Sequence, residues 1–154
     1  MQNSIFLPHV IALTEEGKTV TIKARGYSMR PFIEHDRDNL VFGRFDDVKV
    51  GDVVLAEISE GHYVCHRVES INGDAVTLRG DGNISGTESC RLSDVKAMLL
   101  YVERKGKTWD LRKSRFWKCY SYLWPKLLPM RRVLLALNNI IFLHTLPARL
   151  KIWK

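Results

Sequence analysis

Residues 62–80 read HYVCHRVESINGDAVTLRG, and the fold class follows from how that stretch is read. From His62 to Ile71 the run, with Tyr63, Val64, Val68 and Ile71 among its residues, reads as a strand, whose side chains point alternately to two faces. Asn72-Gly73-Asp74 then supplies the residues that tolerate a tight reversal, and the alternation resumes over Ala75–Gly80. Two such runs joined by so short a turn make an antiparallel hairpin. Outward from it the same pattern recurs. KTVTIKAR (18–25), NLVFGRF (39–45), GDVVLAEI (51–58), a return strand near 96–104 and a short strand pair around Gly106 all read as strands separated by turns. Short strands with frequent turns predict a mainly β fold, a bent β-barrel or sandwich. Residues 4–16 predict a helix ending near Gly17. The stretch 78–95, LRGDGNISGTESCRLSDV, reads as a polar loop.

The composition is that of a globular chain: 154 residues, 45% hydrophobic and 27% charged. Charge is unevenly placed. Residues 1–103 hold 11 Lys and Arg against 16 Asp and Glu, whereas residues 104–154 hold 13 against Asp110 alone, together with all four tryptophans. From Lys113 the β pattern gives way to SRFWKCYSYLW and MRRVLLALNNIIFLHTL, helical runs punctuated by Pro125, Pro129 and Pro147. Two parts are therefore expected: a β domain over 1–112, and a basic, aromatic-rich helical appendage over 113–154. Three cysteines, Cys65, Cys90 and Cys119, without CxxC spacing, argue against a disulfide framework or a zinc site. The N-terminal apolar run lacks a basic lead and is broken by Pro8 and His9, so neither a signal peptide nor an N-terminal span is expected.

The chemistry-bearing residues lie in three places. In GYSMRP (26–31), Ser28 is either an ordinary turn or cap residue or a serine held out for attack, and a hydroxyl becomes nucleophilic only when a base takes its proton. In the first hairpin strand, His62, Val64, His66 and Val68 share one face, while Tyr63, Cys65 and Arg67 share the other. His66 is then a core histidine or a general base. Cys65 adjoins it in sequence, but its thiol points to the opposite face, which disfavours a Cys–His pair. His62 and His66 lack further grouped ligands for zinc. In the polar stretch, Asp81 and Glu88 are the carboxylates able to orient a histidine.

The order of these pieces resembles the type I signal peptidases and the related peptidase domain of SOS-response repressors. GYSMRPF carries an S-M-x-P box, VGDVVLAEI a G-D-[IV]-V strand, YVCHRVESINGD an H-R-V strand and LRGDGN a G-D-N-like loop. Bacterial-type members have lysine before R-V. The endoplasmic-reticulum-type branch has histidine, and His66 places this chain with that Ser/His branch. The resemblance implies a serine endopeptidase in which Ser28 forms an acyl-enzyme, His66 is the general base, and Glu88 or Asp81 orients it. Gly26 and Met29 would flank the substrate and the oxyanion, the serine's own N–H being the donor. The loop here has an additional glycine, Gly82. Thr87 stands where the branch has its second aspartate, with Glu88 one place later. Ser28 lies too near the start of the sequence for the membrane anchor usual before this serine, so none is expected. The implied substrate is an extended leader or signal segment, and neither metal nor organic cofactor is implied. The alternative on the same fold is a catalytically inactive peptide-binding or regulatory module.

The longest uncharged tail stretch, Val133–Leu146, would reach about 21 Å as a helix, short of the hydrocarbon core at about 30 Å. Basic residues flank it on both sides. A helix lying on an anionic membrane surface is therefore expected ahead of packing against the domain, with nucleic acid well behind. The expected location is cytoplasmic, or peripheral at the cytoplasmic membrane.

Overall fold

The computed structural model describes residues 3–145, and the side chains of residues 6–140. Pro147, Trp153 and the basic residues of 146–154 lie outside the described residues. The order of elements is α1 (Asn3–Glu15), β1 (Val20–Lys23), β2 (Asn39–Gly43), β3 (Val53–Ser59), β4 (His62–Asn72), β5 (Ala75–Arg79), β6 (Glu88–Arg91), β7 (Val95–Arg104), β8 (Lys107–Asp110), α2 (Arg115–Lys126) and α3 (Arg131–Thr145). The fold is mainly β, as expected. All strands join one antiparallel sheet in the order β1-β2-β7-β3-β4-β5-β6, with β8 paired to β7. Register shifts at Val41/Phe42, Leu55/Ala56, Glu57/Ser59 and Val68/Ser70 bend it.

Period-two alternation gives this sheet two cores. On β3, Val53 and Leu55 enter one cluster while Val54 and Ala56 enter the other; on β7, Ala97 and Leu99 oppose Met98, and the register shift at Leu55/Ala56 brings Val95 to the side of Met98. These central strands are buried on both faces. The first cluster is covered by α1, by the segment after β1 and by Trp117 of α2. Leu7, Val10, Ile11 and Thr14 recur at helical spacing on the inner side of α1. The helix stops at Gly17, whose φ of 81° lets Gly17 N–H reach Thr14 O and Lys18 N–H reach Leu13 O. The second cluster gathers Val68, Val76 and Leu78 of the predicted hairpin.

One stretch differs from the expectation. The polar loop over 78–95 contains strand β6, Glu88–Arg91, paired with β5. Its sequence, ESCR, has no apolar alternation. It pairs because it lies at the sheet edge, where only Glu88 and Cys90 are half-buried.

Candidate active site

Ser28 sits in a turn whose ends are tied together. Ala24 N–H donates to Asp38 O and Asp36 N–H to Ala24 O, closing the segment between β1 and β2 into a loop. Asp38, fully buried, accepts from the Glu34 N–H, from Arg37 and from Arg104 at the end of β7. Burial would raise its carboxyl, but the hydrogen bonds from Arg37 and Arg104 outweigh that and hold it below the usual range. Inside the loop, Met29, Phe32 and Ile33 drop into the first core. Gly26 turns at φ 88° and gives its N–H to His35 Nδ1 at 3.0 Å. Tyr27 is left exposed and Ser28 half-buried.

The loop after the hairpin provides a second support for that turn. Gly82 N–H donates to Ser28 O at 2.7 Å. A Cβ on Gly80 would stand 2.5 Å from Ser28 O, and one on Gly82 would stand 2.7 Å from Tyr27 O. The backbone of the R-G-D-G-N stretch therefore rests directly on the backbone of the serine turn, and only residues without a side chain permit that approach.

His66 lies on β4, buried, with its Nδ1 3.0 Å from Glu88 Oε2. The sheet explains the pairing. Val68 faces Leu78 across β4–β5, and Leu78 faces Glu88 across β5–β6, so Glu88 stands on the face that His66 shares with Val68. Continued by one residue from Arg67↔Arg79, the register sets Gly80, which packs on the Ser28 backbone, beside His66. Thr87, one place earlier, is exposed.

Asp81, the other carboxylate named from the sequence, does not meet His66. It is 2% exposed and forms a two-pronged ion pair with Arg67, Nε to Oδ1 at 2.8 Å and Nη2 to Oδ2 at 2.7 Å. The reason is the alternation of β4: Arg67 points to the face opposite His66. Tyr120 O–H adds 3.1 Å to Oδ2, and Trp124 Nε1 donates to the Asp81 carbonyl at 2.9 Å. Burial would lower Arg67, yet the adjacent Asp81 carboxylate outweighs it and keeps the guanidinium firmly charged. Burial, reinforced by Asp81, drives the Tyr120 phenol far up, so it stays protonated and its O–H is available to donate to Asp81. Arg67 also reaches Gly51 O and Ser121 Oγ, and Arg131 donates to Asn83 O and Trp124 O. The expected appendage thus packs against the domain: Trp117, Trp124 and Arg131 are buried, and α2 clamps the loop that supports Ser28. Tyr120, Trp124 and Gly80 were not among the residues singled out from sequence, and Arg67 and Gly82 were noted there without these roles. The available signal was a lone arginine on the strand face shared with Tyr63 and Cys65.

Ser28 and His66 line one cleft of about 180 Å³, together with Gly26, Met29, Ala24, Leu40, Tyr63 and Val64. Cys65 also borders it, but packs against the first core, and burial pushes its thiol up from 9.0 to about 12. A thiol so hard to ionise is a poor nucleophile. Among the described residues, no group of three or more His, Cys, Asp or Glu is placed to hold a metal ion. A serine and a buried imidazole held by a carboxylate, facing one cleft, are the components of acyl transfer.

A family model described as Peptidase S24-like matches residues 2–98, well over half of the chain. No curated protein and no solved structure matches the chain.

Proposed function

We propose, from the premise that this chain belongs to the Peptidase S24-like family of serine peptidases and related folds, that it is a Ser/His endopeptidase cutting leader or signal segments from precursors. The observation that carries the reading is the 3.0 Å contact between His66 Nδ1 and Glu88 Oε2 in the cleft that Ser28 lines. That contact fixes Nδ1 as the protonated nitrogen and leaves Nε2, across the ring, to act as base. Ser28 Oγ attacks the scissile carbonyl as His66 Nε2 takes its proton. Charge developing on the carbonyl oxygen meets the Ser28 backbone N–H, in a turn preorganised by Gly82 and the Asp38 cluster. The imidazolium then protonates the leaving amine. A water, deprotonated in turn by His66, hydrolyses the ester and frees Ser28. Glu88 keeps its charge throughout and stabilises the imidazolium. The substrate runs extended through the cleft, with small side chains beside the cut.

The test is processing of co-expressed leader-bearing precursors, read by mass spectrometry. Ser28→Ala and His66→Ala should each abolish cleavage in folded protein, and the double variant should be no worse than either. Glu88→Gln should lower kcat by about 10²–10⁴-fold with little change in KM. Full activity in folded His66→Ala refutes the mechanism. A wild-type protein that binds such peptides and never cleaves them supports the inactive-module alternative instead.

A further inference from the structure

The described side chains of helix α3 fall on two opposed faces, one turned to the domain and one, apolar, with no partner among the described residues. At 100° per residue, Arg131, Leu134, Leu135 and Asn138 fall on one side, and all four are buried or half-buried. This side is tied to the loop that carries Ser28 and to the loop that supports it. Arg131 Nη1 donates to Asn83 O, and Asn138 Nδ2 donates to Glu34 Oε1 at 3.2 Å, while at its margin Arg30 Nη1 donates to Asn139 Oδ1 at 3.0 Å. Diametrically opposite stand Val133, Ala136, Leu137 and Ile140, the i, i+3, i+4, i+7 stripe of an amphipathic helix facing outward. Val133 is 60% exposed, Leu137 51% and Ile140 52%, and Met130 extends the stripe at the helix start. Apolar surface in so ordered a row is uncommon on a protein that meets only water.

We propose that this outer stripe is a contact for an anionic lipid surface, with α3 lying in the plane of the membrane. Charge selects lipid over a second copy of the chain. Residues 104–154 carry 13 basic residues against Asp110, and Arg132 is exposed beside the stripe. Two such segments repel each other, whereas an anionic headgroup layer attracts them. The stripe is also far smaller than the roughly 20–30 residues a side of a stable protein interface. No described helix is long and apolar enough to cross a membrane, which leaves the in-plane arrangement. With α3 about 10 Å across, this docking sets the Ser28 turn about one helix diameter above the lipid. The surface stands whether or not Ser28 is catalytic.

The test is flotation of the full chain with vesicles of phosphatidylglycerol and phosphatidylcholine against vesicles of phosphatidylcholine alone. Binding is expected to the anionic vesicles only, and to fall as salt approaches about 1 M, where charges are screened beyond about 3 Å. Each half-exposed stripe residue contributes about fivefold to partitioning, so V133S/L137Q/I140Q should lose about 100-fold. Tryptophan fluorescence checks that the triple variant is folded, and Leu137→Gln alone, the milder change, should lose about fivefold. Absence of binding, equal binding to neutral vesicles, or undiminished binding by both variants overturns the proposal. So does a wild-type dimer that the triple variant converts to monomer without altered lipid binding.

Discussion

Replacing Asp81 by alanine separates the carboxylate that holds Arg67 from the one proposed to orient His66. The substitution removes two charge-assisted bonds to Arg67, at 2.8 and 2.7 Å, and the bond from Tyr120. It leaves the Arg67 guanidinium, 3% exposed, with neutral hydrogen-bond and ring partners, Gly51 O, Ser121 Oγ and the rings of Trp117 and Tyr120 at 5.0 and 5.3 Å, and with Asp52 acting only through space. Stripping one member from a buried ion pair costs about 3–5 kcal/mol, because the surviving charge is uncompensated. Against a typical total of about 5–15 kcal/mol that is a large share. At about 2–4 °C per kcal/mol for a chain of this size, Tm should fall by about 10 °C. Urea unfolding followed by tryptophan emission measures it directly, since Trp117 and Trp124 are both buried in the region affected. Arg67→Met combined with Asp81→Leu should cost less than the sum of the single changes, because charge and countercharge leave together. An Asp81→Ala protein within about 1 kcal/mol of wild type, or a double variant whose cost equals the sum, would show that the pair does not hold this loop.

Two further outcomes follow from the same geometry. Gly82→Ala should lower both stability and hydrolysis, because its Cβ would stand 2.7 Å from Tyr27 O and push the serine turn aside. Gly86→Ala, at φ 87° with open space around it, should cost about 1–2 kcal/mol of backbone strain and leave kcat unchanged; equal loss of activity in both would count against the glycine contact. Cys65 gives a pH dependence. Its folded thiol stays protonated up to about 12 while the unfolded thiol ionises near 9.0, so the unfolded state binds fewer protons in between and stability should fall as pH rises through that window. Cys65→Ala should flatten this slope. Thiol reagents at neutral pH should modify exposed Cys119 first and leave hydrolysis intact; loss of activity tracking modification of Cys65 would implicate that thiol.

Much of this protein could be read from local pattern alone. Alternation along 62–80 specifies a hairpin because a period of two is a property of the chain, independent of what it packs against. The same alternation put His66 and Cys65 on opposite faces before any packing was known. Gly17 stopped α1, and Pro129 falls between α2 and α3, whereas Pro125, expected to punctuate the tail, is accommodated inside α2. The partners of charged groups were decided elsewhere. Glu88 and Asp81 are equally acidic in sequence, and only the register β4–β5–β6 brings Glu88 beside His66 and turns Asp81 toward Arg67. Strand β6 itself escaped notice because an edge strand with polar side chains pairs through its backbone, which carries no composition signal. The lodging of Trp124 and Tyr120 on Asp81 was likewise invisible, since it joins residues about forty positions apart. Sequence determines which faces a strand or helix can bury; the free energy of the whole fold decides which face meets which.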